Sequence, residues 1–272
     1  MTDFQQLQLS ALPDGRRVAW REQGSGPSLI MLHGWSLSSV VFSEVAVSLA
    51  KHFRVLCPDL PGHGQSDRSS ECSLDSFSQT ISAWAKQLNL IETALLGWSL
   101  GGQVAMQLTL QKRLDVKKLL LVATTPCFCQ MGDWEFGLPL TQLKLLERNL
   151  GRAFEKTMAD FFQLQFVGEN LPEERYRQIL KFAVRVGWMP EPAAARETLA
   201  VLETTDLREA LAAIQVPTLV MHGDLDQIVP FAAGEFLAAK ISTAQLCRIT
   251  AVGHAPFFSC PEKSVSQWLK FL

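Results

Sequence analysis

A serine set between glycines is the residue whose surroundings best fit chemistry. It lies in Gly97-Trp98-Ser99-Leu100-Gly101, after an apolar strand pattern and before a helical pattern. Glycine two positions before and two positions after a serine permits a tight strand-to-helix turn that exposes the hydroxyl. A serine that only caps a helix is the alternative. Because both flanking elements are present, we predict that Ser99 is a nucleophile.

A serine hydroxyl needs a histidine to take its proton and a carboxylate to orient that histidine. His254 follows the last apolar strand pattern, where a loop can bring its imidazole over Ser99. The competing histidines are His33, His52, His63 and His222. We expect His33 to hold its own loop by hydrogen bonds, and the other three precede or end elements poorly placed for the role. We therefore predict His254 as the base.

Two carboxylates compete for the role of the acid. Asp224 and Asp226 lie in the segment 223–230, between a buried strand pattern and a helix pattern. Asp226 lies two residues deeper in this loop, whereas the side chain of Asp224 can tie the turn. We predict Asp226 as the acid.

Acyl transfer also needs two donors for the oxyanion of the tetrahedral intermediate. The N–H of Leu100 directly follows the predicted nucleophile at a helix N-terminus. The second donor should lie in the loop after the third strand, Leu32-His33-Gly34-Trp35, and we assign it to the Trp35 N–H. The Trp35 indole would then line the acyl pocket; plain core packing is its alternative role.

The elements that must position these residues alternate along the chain. Continuous apolar runs, typical of strands buried on both faces, occur at 28–32, 53–57, 93–96, 116–122, 217–221 and 245–249. Helical patterns separate them at 42–50, 74–88, 100–111, 232–240 and 263–272. We predict an α/β fold with a mostly parallel sheet and helices on both faces. An edge hairpin of strands 4–9 and 17–22 should precede it.

This alternation stops in the middle of the chain, where the sequence becomes helical throughout. Four helices separated by Gly, Asn or Pro are predicted at 138–150, 153–166, 173–187 and 193–203. We therefore expect a core formed by residues 1–126 and 206–272, with a helical cap inserted at 127–205.

These motifs, in this order, resemble the α/β-hydrolase superfamily along nearly the whole chain. The branch that they resemble within it is the pimeloyl-acyl-carrier-protein methyl ester esterases of biotin synthesis. The residues that carry this resemblance are Gly97-Trp98-Ser99-Leu100-Gly101-Gly102, Leu32-His33-Gly34-Trp35, Thr125-Pro126-Cys127-Phe128, Thr204-Thr205-Asp206-Leu207-Arg208 and His254-Ala255-Pro256-Phe257.

The resemblance implies hydrolysis of the methyl ester of pimeloyl-acyl carrier protein through a Ser-His-Asp triad and an acyl-enzyme. Methanol would be released and the carrier thioester left intact, with no cofactor. The implied substrate contacts are Trp35, Leu100, Phe161, Phe162, Gln163, Leu164, Gln165 and His254. The alternative role of the apolar cap residues is the inner face of a helix, which is compatible with lining a pocket.

Carrier proteins are acidic, so the resemblance also implies a basic docking surface on the cap. Two stripes at four-residue spacing are candidates: Lys144, Arg148, Arg152 and Lys156, and Arg177, Lys181 and Arg185. Gly151 could break the first stripe, and neighbouring glutamates dilute both. Asp160 falls where the resemblance leads us to expect a basic residue, and an ordinary solvated surface is the alternative.

The bulk composition of the chain excludes only a few classes of function. The chain has 272 residues, 47% of them hydrophobic and 19% charged, and its net charge of −2 gives no field that would favour nucleic acid. The segment 1–6 lacks the features of a signal peptide, and no apolar run is long enough to span a bilayer. The cysteines are scattered, without the spacing of a metal site. We expect a cytoplasmic, metal-free monomer.

Other functions remain open at this point. One is a carboxylesterase for free short-chain esters, whose cap only excludes long substrates. Another is a ligand-binding protein built on a retired hydrolase fold. Carbon–carbon bond hydrolases and cofactor-free haloperoxidases share the same serine turn, and sequence spacing alone does not exclude them.

Overall fold

An eight-stranded sheet forms the centre of the part of the protein that the computed structural model describes, which is residues 4, 6–69, 71–184 and 190–272. The strands are β1 Gln8–Ala11, β2 Arg17–Gln23, β3 Ser28–Leu32, β4 Arg54–Pro58, β5 Glu92–Trp98, β6 Asp115–Val122, β7 Thr218–Gly223 and β8 Ala244–Ile249. Their spatial order is β1-β2-β4-β3-β5-β6-β7-β8. Strands β3 to β8 are mutually parallel, whereas β2 runs antiparallel to both of its neighbours, β1 and β4.

The helices form two groups, one in the core and one between β6 and β7. Those of the core are α1 Ser43–Leu49, α2 Leu74–Gln87, α3 Leu100–Leu110, α8 Phe231–Lys240, α9 Pro256–Ser259 and α10 Pro261–Phe271. Between β6 and β7 the chain forms α4 Leu140–Arg152, α5 Phe154–Leu164, α6 Glu173–Ala183 and α7 Pro192–Thr204. Helices α2, α3 and α8 pack on one face of the sheet, and α1 and α10 pack on the other.

Burial of both faces of the sheet explains why the sequences of its strands are continuously apolar. In β3, Ile30 and Leu32 belong to the core on one side of the sheet, and Leu29 and Met31 to the core on the other. A strand covered by helices on both sides has no solvent face on which polar residues could alternate. The predicted α/β fold, with a mostly parallel sheet, is confirmed.

The first strand of the edge hairpin was predicted wrongly. The sequence pattern indicated a strand at 4–9, but the structure has it at Gln8–Ala11, where Gln8 pairs with Trp20 and Ala11 with Arg17. The register is set by the turn, which closes through a hydrogen bond from Leu12 N to Arg16 O. Because strand pairing grows outward from that turn, the strand extends to Ala11, beyond the predicted end at residue 9.

Helices α4–α7, called the cap below, form the inserted segment. The chain enters and leaves this segment side by side, since Cys127 and Asp206 form an isolated β-bridge and Leu207 N donates to Pro126 O at 2.9 Å. We propose 127–205 as its boundaries. Part of the third predicted cap helix, 185–187, lies outside the described residues.

The first basic stripe is divided between two helices, as the separate helices predicted at 138–150 and 153–166 already allowed. Helix α4 runs through Gly151, but the chain leaves helical geometry at Ala153, which has φ −149° and ψ 64° and separates α4 from α5. Lys156 therefore lies on a different helix from Lys144. Four-residue spacing keeps side chains on one face only while the helix is continuous.

No helix in the described ranges combines the length and apolar character needed to cross a bilayer. The histidine, cysteine and acidic side chains of the same ranges form no cluster that could hold a metal ion. All six cysteines are free thiols.

Candidate active site

Ser99 occupies the turn between β5 and α3 in a strained backbone conformation. Its φ of 55° and ψ of −119° lie in a region that residues with a side chain rarely adopt. The turn is tight enough that a Cβ on Gly97 would collide with the carbonyl of Gly101, and a Cβ on Gly101 with the carbonyl of Leu32. Both glycines are therefore required for this geometry, and Ser99 remains partly exposed.

Two hydrogen bonds from the neighbouring strand region fix the backbone of Ser99. Its N–H donates to Val122 O at 3.0 Å, and its carbonyl accepts from Thr124 Oγ1 at 2.7 Å. Sequence reasoning did not identify Thr124 as a site residue. Its position just beyond the end of β6, beside the turn that ends β5, is the signal that could have found it. Leu100 is the first residue of α3, so its N–H has no acceptor within the helix.

His254 and Asp226 are joined by a short hydrogen bond, although they lie in separate loops. His254 Nδ1 donates to Asp226 Oδ2 at 2.8 Å, and both side chains are buried. This bond leaves Nε2 as the imidazole atom available for proton transfer. The Trp98 indole supports the histidine loop, because its Nε1 donates to the carbonyl of His254 at 2.9 Å.

The second carboxylate oxygen of Asp226 also accepts hydrogen bonds. Asp226 Oδ1 accepts hydrogen bonds from the N–H groups of Ile228 and Val229, each at 2.9 Å. Burial raises the pKa of Asp226, but the charge of His254 and the hydrogen bonds from His222 and His254 outweigh burial, and the pKa lies well below its usual value. The group is therefore a carboxylate at neutral pH.

His222 is a second histidine in contact with the carboxylate of Asp226. From the sequence, His222 was judged poorly placed for the role of the base, and this contact was not expected. Its Nε2 donates to Val229 O at 2.9 Å and lies 3.2 Å from Asp226 Oδ2. The four-residue spacing between His222 and Asp226 across the end of β7 is the signal that could have found it. Asp224 instead ties the turn, since its Oδ1 accepts from Ala251 N at 2.7 Å and its Oδ2 pairs with Arg248.

The loop that follows β3 brings Trp35 beside the serine turn. His33 holds this loop: its Nδ1 donates to Gly34 O at 2.8 Å, and its Nε2 accepts from Leu60 N at 2.9 Å. Burial lowers the pKa of His33 to about 4, so its Nε2 is free to accept at neutral pH. The Trp35 indole donates to Ala195 O and Thr198 Oγ1 in α7, which ties the loop to the cap.

A small cavity of about 10 Å³ connects these groups, because Ser99, His254 and Trp35 all line it. Two larger cavities adjoin it. One of about 300 Å³ shares Phe161 and Gln165 with the small cavity, and one of about 530 Å³ shares Phe128, Phe161 and Ile228 with it. The Phe161 ring packs edge-to-face on Trp35 with centroids 5.0 Å apart, so it forms a wall common to all three spaces.

The predicted substrate segment divides between these cavities. Of its residues, Phe161 and Gln165 line the small cavity beside Ser99. Phe162 and Gln163 line the 300 Å³ cavity, and Leu164 lines the 530 Å³ cavity. Leu100 is fully buried beneath the serine and is not part of any of these three walls.

The predicted docking cations fall into two groups. Three of them pair with acidic neighbours: Lys144 with Glu147 and Glu203, Lys156 with Asp160, and Arg177 with Glu173 and Glu174. Arg148, Arg152 and Lys181 are exposed and form no ion pair with any residue that the structure describes. Arg185 lies outside the described residues.

The chain is similar to known proteins along nearly its whole length. A family model of the alpha/beta hydrolase fold matches residues 27–261. A curated relative from Nitrosomonas europaea named pimeloyl-[acyl-carrier protein] methyl ester esterase is 40% identical over 243 residues, covering 89% of this chain and 94% of that protein. A relative of the same name from Pectobacterium atrosepticum is 34% identical over 254 residues, covering 93% and 97%. An esterase structure from Exiguobacterium antarcticum superposes with a TM-score of 0.89 at 25% identity, covering 97% and 98%.

Proposed function

The chain belongs to the α/β-hydrolase family and is a carboxylic ester hydrolase, and we propose from this premise that it hydrolyses the methyl ester of pimeloyl-acyl carrier protein. The observation that carries the proposal is the 2.8 Å bond between His254 and Asp226, beside a cavity that Ser99 and His254 share. This is the substrate for which relatives that are 32–40% identical to the chain are named.

In the proposed acylation step, Ser99 Oγ attacks the methyl ester carbonyl as its proton passes to His254 Nε2. The buried carboxylate of Asp226 orients the imidazole and stabilises the imidazolium that forms. The N–H groups of Trp35 and Leu100 are the proposed donors to the oxyanion. Collapse of the tetrahedral intermediate transfers the proton from His254 to the departing oxygen, and methanol leaves.

Deacylation repeats these steps with water as the nucleophile. His254 takes a proton from the water, which attacks the acyl-enzyme, and the proton then returns to Ser99 Oγ. The net reaction consumes one water and yields a carboxylic acid and methanol. The thioester to the carrier survives because it lies at the other end of the seven-carbon chain, away from Ser99.

The shape of the site supports an ester with a small alcohol group. The cavity beside Ser99, of about 10 Å³, has room for about one water-sized group, which suits a methyl group better than a longer alcohol. The acyl chain and the arm to the carrier need a longer path, and the larger cavities that begin at Phe161 offer one. The walls of the 300 Å³ cavity are mainly apolar, including Leu37, Met158 and Phe162, which suits methylene groups.

For the carrier, we propose that the unpaired cations of the cap are the docking residues. Arg148 and Arg152 lie one turn apart on α4, and Arg196 of α7 approaches that helix at Gly151. An exposed cation without an intramolecular partner is free to pair with an acidic protein, whereas Lys144, Lys156 and Arg177 would first have to release their own carboxylates.

Mass spectrometry of methyl pimeloyl-acyl carrier protein over time tests this function. We expect the ester mass to fall by one methylene unit while the thioester persists, and Ser99→Ala and His254→Ala to abolish the change. Thioester cleavage, or full activity in both variants, would contradict the proposal. A fluorophosphonate probe that labels the wild type but neither variant would separate an enzyme from a ligand-binding protein.

A second candidate is an esterase for free short-chain esters, and the pairing of three docking cations within the chain favours it. Reversing charge in Arg148→Glu with Arg152→Glu separates the two functions. If the carrier docks there, KM for the carrier-linked ester should rise about tenfold, with little change for a small ester. The matched control, Lys51→Glu with Lys86→Glu, makes the same change of charge on the core. An equal response to both substrates would favour the general esterase.

A further inference from the structure

The loop that carries His254 is bound to the cap by two of its own backbone N–H groups. Gly253 N donates to Glu169 Oε1 at 2.7 Å, and His254 N donates to Gln165 O at 2.9 Å. Both acceptors lie just after α5. His254 and the residue before it are thus held by the cap as well as by the core.

Glu169 is placed for this contact by a turn after α5. Its N–H donates to Phe166 O at 3.1 Å, and Gly168 at φ +87° lets the chain reverse there. Beyond Gly168 lies the side chain of Leu225, next to Asp226 in sequence. Burial raises the pKa of Glu169, and the charge of Asp226 acts in the same direction.

The approach of loop and cap at Gly253 is too close for a side chain. A Cβ at this position would collide with the carbonyl oxygen of Gln165 and would lie 2.9 Å from Glu169 Oε1. Glycine is therefore needed here for contact between two backbones. The same stretch of the cap lines the small cavity with Phe161 and Gln165, so one piece of chain contacts both the substrate space and the histidine loop.

We propose that Glu169 is a positioning residue, whose carboxylate fixes the backbone of the His254 loop against the cap and so sets the position of the imidazole between Ser99 and Asp226. This inference rests on the proposed function through the role of His254. Its physical basis is that small displacements of a proton-transfer group strongly reduce the rate. The hydrogen bond is charge-assisted, which makes it stronger than a bond between neutral groups.

Three variants test the proposal with a small ester as substrate. Glu169→Ala removes the acceptor, and Glu169→Gln keeps a carbonyl oxygen that can accept from Gly253 N. Glu174→Ala is the matched control, an exposed glutamate on α6 that bonds Arg177 and Gln178 within its own helix. The measurements are kcat and KM, the rate of fluorophosphonate labelling, the midpoint of thermal unfolding, and the NMR resonance of the His254 Nδ1 proton.

For Glu169→Ala we expect kcat and the labelling rate to fall at least about tenfold, with KM nearly unchanged and the Nδ1 proton resonance shifted or broadened. Glu169→Gln should recover most of kcat, and Glu174→Ala should match the wild type. The proposal is overturned if kcat of Glu169→Ala equals that of Glu174→Ala, or if Glu169→Gln is as slow as Glu169→Ala. Loss of thermal stability with an unchanged kcat would also overturn it, because that outcome describes a purely structural residue.

The same assay distinguishes this proposal from the proposed function. If His254→Ala keeps its activity, the triad itself is wrong. If His254→Ala is inactive while Glu169→Ala is fully active, the triad stands and only the role of Glu169 fails.

Discussion

At the scale of single residues, the site combines a strained serine with a firmly held carboxylate. Ser99 sits at φ 55° and ψ −119°, and bonds to Val122 and Thr124 hold it there. Such a conformation costs about 1–3 kcal/mol for a residue with a Cβ. Other interactions in the fold offset this strain. The strained conformation places the hydroxyl of Ser99 on the outside of a tight turn.

Replacing Ser99 should therefore separate stability from activity. We expect Ser99→Gly and Ser99→Ala to be equally inactive, but Ser99→Gly to be more stable by about 1 kcal/mol, because glycine adopts a positive φ without strain. Urea unfolding of the two variants measures the difference. Equal free energies of unfolding, or a more stable Ser99→Ala, would mean that the turn stores little strain.

The lowered pKa of Asp226 predicts a dependence of stability on pH. A carboxyl whose folded pKa lies below its unfolded value, here near 3.8, contributes stability above that unfolded value and loses it as the pH falls further. The free energy of unfolding of the wild type should therefore exceed that of Asp226→Asn at about pH 6 and converge toward it below about pH 4. A gap that widens on acidification would contradict the direction of the shift.

At the scale of elements, the turn between β5 and α3 works because the helix starts directly against the neighbouring strand. Gly101, in the first turn of α3, approaches the carbonyl of Leu32 at the end of β3 too closely for any side chain. The same strand end leads into the Trp35 loop. The serine and its proposed oxyanion donor are consequently held in register by the contact between one helix and one strand.

The same substitution at two glycines should have opposite effects on stability. Gly101→Ala should lower the free energy of unfolding by about 3 kcal/mol, because its methyl group would force α3 away from β3. Gly151→Ala should raise it by about 0.5 kcal/mol, since Gly151 lies within α4 and a Cβ there meets Arg196 only at 3.7 Å. Urea unfolding of both variants is the measurement. A Gly101→Ala protein as stable as Gly151→Ala would rule out the close contact.

At the scale of the whole molecule, the cap is fastened to the core at several points around the site. Arg175 of α6 pairs with Glu44 of α1 at 2.6 Å and also donates to the carbonyl of Phe258. The Trp35 indole bonds α7 on another side. Since the cavities beside Ser99 lie between cap and core, these contacts determine their shape.

Arg175 should matter more to stability than the neighbouring arginine on the same helix. Arg175→Ala should cost about 2 kcal/mol, because it removes charge-assisted bonds to a half-buried carboxylate and leaves a carbonyl unpaired. Arg177→Ala should cost about 0.5 kcal/mol or less, since its pair with Glu173 is exposed. Thermal unfolding of both variants compares them, and similar midpoints would show that the Arg175 contact does not fasten the cap.

The amino-acid sequence by itself determined the fold and the local shape of the serine turn. Apolar runs indicated buried strands because both faces of the sheet are covered, and the glycines around Ser99 indicated the turn because its geometry is local to a few residues. It indicated the wrong start for the first strand, because register depends on pairing with β2 and not on the apolar pattern.

Only the tertiary structure decided which residues support the proposed triad from a distance. Thr124, His222 and Glu169 have ordinary surroundings in sequence, and each becomes part of the site through contact with a segment that folding brings near. Among the ion pairs of the basic cap residues, the one between Lys144 and Glu203 likewise depended on tertiary structure, because it joins α4 to α7. Local geometry is encoded by neighbours along the chain, whereas hydrogen bonds and ion pairs between elements depend on packing that no short stretch of sequence contains.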